Sequence, residues 1–186
     1  MPCGGASDDA LLARVAEGDD EAARALVERH LAGIVAFARR MLGSASDAED
    51  VAQDTFVALW QQAARWQPGG ARLATWLYKV AGNRCIDLLR RRREVGFEAA
   101  PEPLDPGMAA ELHRRDIARL VEAALLQLPE RQRLAVSLCH YQELGNIEAA
   151  AVMAISIEAL ESLLARGRRQ LRRSLAKDLP DLLGEP

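Results

Sequence analysis

Aromatic side chains are scarce in this chain: three Trp, two Tyr and three Phe make up 4% of its 186 residues. Sheets lean on aromatic and β-branched residues, so this scarcity, beside abundant Ala, Leu and Arg, disfavours sheet and favours helix. Cysteine is scarce too. Cys3, Cys85 and Cys139 are an odd number, far apart, with no CxxC pair. They argue against a disulfide framework and for a reducing compartment. Cys139-His140 is the only adjacent Cys/His pair, and no second pair offers zinc-ligand spacing. No apolar run approaches a membrane span, and no basic-then-apolar leader opens the chain, so a cytoplasmic location is expected. Phosphate-loop, HExxH and GxSxG strings are missing. That leaves no catalytic residue, metal, cofactor or small-molecule substrate to assign, and an enzyme is not expected.

What is there is apolar helix and unevenly placed charge. Apolar residues make up 49% of the sequence and charged ones 27%, enough for real cores in one or two small domains. The net charge is −3, but it is distributed in blocks. Residues 1–64 carry eleven acids and five bases; residues 65–93 carry one acid, Asp87, and eight bases. Residues 94–112 carry five acids and no base. An acidic protein that gathers positive charge on one stretch suits that stretch to a polyanion.

The apolar period predicts helices over 8–17, 21–42 and 47–64, with Asp19 as a cap and Gly43 as a stop. His30 falls near the apolar face of the second helix and reads as a packing residue. Ser46 and Glu49 fit a capping box. In the third helix, Glu49, Asp50, Gln53 and Asp54 form an acidic and amide face. That face is explained either by the helix dipole or by docking of a basic partner. After a Gly-rich loop, residues 72–93 form a basic amphipathic helix carrying Trp76 and Tyr78. Cys85 within it reads as a packing residue rather than a thiol activated by nearby cations. Residues 94–108, with three prolines, two glycines and four acids, form a flexible acidic linker. Helices are expected again over 110–127, 130–141, 147–153 and 157–177. The last two, separated by a tight turn with Ser156 as a cap, make a helix-turn-helix pattern ending in arginines.

Three strings in this order resemble the extracytoplasmic-function (ECF) group of bacterial sigma-70-type RNA polymerase sigma factors. They are AEDVAQDTFVALW (48–60), RLATWLYKVAGNRCIDLLRRRR (72–93) and LPERQRLAVSLCHYQELGNIEAAAVMAISIEALESLLARGRRQL (128–171). The resemblance implies an all-α fold of two small helical domains joined by the acidic linker, the second a four-helix, winged-helix-like helix-turn-helix domain. Residues 1–93 would be region 2, 94–111 the linker and 112–186 region 4. The implied partners are the β′ clamp and β subunit of core polymerase, promoter DNA and an anti-sigma factor, and the implied role is an alternative sigma factor in a stress, envelope, metal or redox response. The clamp would meet Asp47, Asp50, Gln53, Asp54 and Phe56, with Trp60 in support. The −10 element would be opened by Arg72, Trp76, Lys79, Asn83, Arg84, Asp87, Arg90 and Arg91. Asn83 would stand beside a flipped base, the arginines 90–93 on phosphates, and Trp76 as a core strut. The −35 element would meet Ser156, Glu158, Ala159 and Ser162, with Arg166, Arg168 and Arg169 on the backbone. The chain departs from the family at Glu161 and Leu163, where many members have Lys and Arg, and at Ala154, where the turn glycine is replaced. Ala154 suggests a turn without a left-handed residue. The competing readings are a helix-turn-helix regulator that binds duplex DNA alone, and a helical adaptor for acidic proteins.

Overall fold

The computed structural model of the chain describes residues 6–95 and 109–176, and every regular element among them is helical. The helices are α1 (Asp8–Ala16), α2 (Asp20–Leu42), α3 (Ala45–Ala63), α4 (Leu73–Val95), α5 (Ala109–Leu126), α6 (Glu130–Val136), α7 (Asn146–Met153) and α8 (Ile157–Leu175). One π-helical turn, Ser137–Tyr141, extends α6 where a continuous α-helix was expected. It brings Tyr141 under Arg40 of α2, whose guanidinium carbon lies 4.2 Å from the ring centroid. The acidic linker at 96–108 and Cys3 lie outside the described residues.

Caps set the helix ends. Asp19 accepts from the backbone N–H groups of Glu21 and Ala22 at 2.9 and 3.1 Å, starting α2. Gly43, left-handed at φ 70°, ends it. The next cap is Ser44 rather than Ser46. Ser44 has the extended backbone of an N-cap and accepts from the Asp47 N–H at 3.3 Å, so α3 begins two residues earlier than expected; Ser46 only meets the Ser44 hydroxyl. His30 is not simply a packing residue: its Nε2 lies 3.0 Å from an Asp8 carboxylate oxygen, tying α2 to α1.

α1 to α4 pack around Leu11, Leu12, Leu26, Phe37, Leu59 and Leu77; α5 to α8 pack around Leu125, Leu138, Leu160 and Leu164. These two groups share one continuous buried cluster. Two glycines permit the approach. A Cβ on Gly43 would lie 2.9 Å from Leu126 Cδ1, and one on Gly82 would lie 3.3 Å from Leu134 Cδ1. Arg133 is sunk between the groups at 7% exposure. Its guanidinium donates to the carbonyls of Leu126 and Leu128 from its own half, and of Met41 at the end of α2. Arg93 of α4 pairs with Glu130 of α6.

The helix-turn-helix is α7, a turn at 154–155, and α8. Gly145 N-caps α7, and the Glu148 side chain accepts from the Gly145 N–H at 3.3 Å. Ser156 caps α8 by accepting from the Ala159 N–H at 3.2 Å. The expectation for Ala154 is corrected: it is left-handed, at φ 51° and ψ 48°. Its N–H and that of Ile155 close on the carbonyls of Ala151 and Ala150. That closure needs the left-handed geometry whatever residue supplies it, and without glycine it costs roughly 1–2 kcal/mol.

Candidate nucleic-acid interface

α4 buries Leu73, Thr75, Leu77, Ala81, Gly82 and Cys85. The other side leaves Lys79, Asn83, Arg84, Arg90 and Arg91 exposed. Amide and cations thus share the solvent face of one helix. Trp76 is half-buried, edge-on to Trp66 with ring centroids 6.2 Å apart. The loop beneath is tied down by Asp9 of α1. Its carboxylate accepts from Trp66 Nε1 at 2.8 Å and from the Gly69 N–H at 3.2 Å. Sequence reasoning missed Asp9, since nothing local links it to a loop almost sixty residues away.

α3 faces α4 across a shallow groove. Asp47, Asp50, Gln53 and Asp54 line one wall; Arg84, Asp87 and Arg91 line the other. Arg84 Nε lies 3.7 Å from Asp54 Oδ2, and Arg90 pairs with Asp87 at 3.3 Å. The structure therefore gathers the acidic face of one helix and the basic face of the next at a single surface. Not every expected residue reaches it. Phe56 is buried at 6% exposure and packs its ring 5.8 Å from Trp60, so it shapes α3 from within. Asp47 is partly withdrawn and bonded to Arg92. Burial alone would raise its carboxyl, but the Ser44 hydroxyl and the Arg92 guanidinium outweigh that and hold it below the ordinary aspartate value. Arg92 also reaches the Leu42 carbonyl at 3.5 Å, Arg93 is engaged by Glu130 and Arg90 by Asp87, so of the four arginines Arg91 is the exposed one not held by an acid. Cys85 is fully buried, and that burial pushes its thiol up to about 12 despite Arg133, the opposite of an activated cysteine.

On α8, Leu160, Leu164 and Gly167 face inward, and Glu158, Ala159, Arg166, Arg168 and Arg169 are exposed. Two of the expected contact hydroxyls are engaged: Ser156 caps the helix, and Ser162 accepts from Arg166 at 2.9 Å. Glu158 sits in the first turn, where its own backbone N–H and the Ser156 side chain hold its carboxyl below the usual value. Glu161 accepts from Asn146 Nδ2 at 3.4 Å, bracing α8 against α7. Leu163 is half-buried against the core, a place that suits a leucine better than a cation. Among the described residues, no His, Cys, Asp and Glu cluster could hold a metal, and no helix is long and apolar enough to cross a membrane.

The family descriptions Sigma-70 region 2 and Sigma-70 region 4 match residues 26–95 and 118–171. The chain belongs to the ECF sigma factors. Its similarity to the ECF RNA polymerase sigma factor RpoE of Cereibacter sphaeroides is 30% identity, spanning 90% of this chain and 94% of that one. Among solved structures, CnrH in complex with the cytosolic domain of CnrY superposes with a TM-score of 0.71 at 30% identity, over 92% of this chain and 98% of that one. The sigma factor RpoE in complex with the anti-sigma factor NepR, from Bartonella quintana, gives 0.67 at 25% identity, over 82% and 96%. This sigma factor is an alternative sigma factor for transcription initiation: it acts with RNA polymerase core enzyme on promoter DNA, and a stand-alone regulator is not favoured.

Proposed function

We propose that this sigma factor works as two units, residues 1–93 docking on the polymerase clamp and opening the −10 element, residues 112–186 reading the −35 element, with 94–111, whose ends belong to α4 and α5, joining them. What supports this is the α3–α4 groove, where an acidic wall carrying Gln53 lies beside a wall carrying Arg84 and Arg91. Asp50, Gln53 and Asp54 present acceptors to a basic polymerase surface. Asn83, exposed beside Lys79 and Arg84, can both donate to and accept from an extruded base, and the cations neutralise the strand's phosphates. Arg166, Arg168 and Arg169 hold the phosphates flanking the α8 groove contact, leaving Glu158 and Ala159 toward base edges. The protein supplies binding energy for strand separation and catalyses no reaction itself. It acts in the cytoplasm, where core polymerase and promoters are. An anti-sigma factor is its natural restraint, given the complexes in which the similar structures were solved.

The test is transcription from a randomised promoter library with purified core polymerase, with and without this chain. New start sites that share −10 and −35 sequences are expected. DNA binding without core polymerase and without new start sites would overturn the reading.

A further inference from the structure

α7 lies against α4 at Thr75. Thr75 is sunk to 9% exposure, and its hydroxyl donates to Glu148 Oε1 at 3.4 Å. Arg72 Nη1 stands 3.8 Å from the same oxygen. The other Glu148 oxygen is already used, accepting from the Gly145 N–H at the cap of α7. One carboxylate oxygen therefore remains turned outward from its own helix, onto a guanidinium and a hydroxyl at the start of α4. A DNA phosphate offers the same thing, an anionic oxygen that accepts from Arg and from a Thr hydroxyl. A second pair along the same helix repeats the pattern, with Glu130 on Arg93. Arg93 lies in α4 and Arg72 immediately before it, and both acids come from the helix-turn-helix half.

We propose that Glu148, aided by Glu130, is an internal stand-in for promoter phosphate: the chain's own helix-turn-helix half docks on α4 and restrains its DNA surface until the halves part. The inference rests on the −10 role given to α4 above, and adds the partner that occupies it in the free protein. The contact is polar and part-exposed, with the Arg72 side chain 76% exposed, so it is a weak latch suited to release. Competition is direct. A strand that reaches Arg72 and Arg93 must displace two carboxylates, and a chain that keeps them engaged binds fewer phosphates.

Glu148→Gln is the informative change, because the amide oxygen can keep the cap at the Gly145 N–H while the amide NH2 donates to the Thr75 hydroxyl, and the charge is lost. In the full chain without polymerase, binding to a fluorescent single-stranded DNA of mixed sequence should tighten about threefold at low salt. The slope of log affinity against log salt should steepen by about one phosphate contact. Removing both acids, Glu130→Gln with Glu148→Gln, should steepen it by about two and raise the radius of gyration seen by small-angle scattering. Glu17→Gln, at the exposed end of α1, removes the same charge elsewhere and should leave slope and radius unchanged. An unchanged slope in the double variant overturns the proposal, and so does an equal steepening by Glu17→Gln. Failure of the −10 reading would look different: holoenzyme that forms start sites without opening DNA over α4, whatever these slopes do.

Discussion

α4 and α8 both end in arginines, but they reach that end differently. α4 has no acid in its first turn and is packed against α2, α3, α6 and α7, so its position is set from several directions. Its proposed contact groups are few: one amide, Asn83, among a handful of exposed cations. α8 begins with Glu158 in its first turn and carries its cations from Arg166 onward. Its N-terminal half is nearly free of the cationic character that holds phosphates. A helix that must extract one base needs a fixed point, whereas a helix that lies in a groove spreads its contacts along its length. The contrast teaches that losses should be concentrated in the first half of the chain and distributed in the second.

The largest effect is expected at the acidic wall. Asp50→Lys with Asp54→Lys should weaken binding to core polymerase about 100-fold, as reversed charges at an interface do, while circular dichroism stays unchanged. Unchanged affinity would move docking off the groove and break the contrast at its first term. Next comes Asn83→Ala. Promoter opening, read by permanganate reactivity, should fall about tenfold, with core affinity within about twofold. Arg168→Ala should lower promoter occupancy by much less. If the two cost the same, function is no more concentrated on α4 than on α8. The smallest effect sharpens the second half: Ala154→Gly relieves the left-handed alanine and should stabilise by about 1 kcal/mol, a rise in Tm of roughly 2–4 °C. Promoter choice should not change, because the turn already has the geometry that glycine would take.

Most helices were legible because their apolar residues keep the helical period, and both faces of the groove were legible because charge is segregated by face on α3 and α4. Three things were not. The choice of Ser44 over Ser46 depended on backbone angles that two nearby serines do not distinguish. Ala154 adopts a conformation that its own preference opposes, since the hydrogen bonds closing α7 outweigh it. Above all, the joining of the halves was hidden. Leu126 and Leu134 look like ordinary core positions, and only the structure puts them on Gly43 and Gly82. Glu148 carries no local signal of a long-range contact; the structure shows it both capping α7 and meeting Thr75 of α4.

Arg133 has one more consequence. Of the three carbonyls it holds, two, Leu126 and Leu128, travel with it when the halves separate, and only Met41 is left behind. The arginine therefore behaves as a captive hook. At Arg133 itself, opening would exchange one hydrogen bond, to Met41, for water, beside the apolar contacts of Leu126 on Gly43 and Leu134 on Gly82 that it would also uncover.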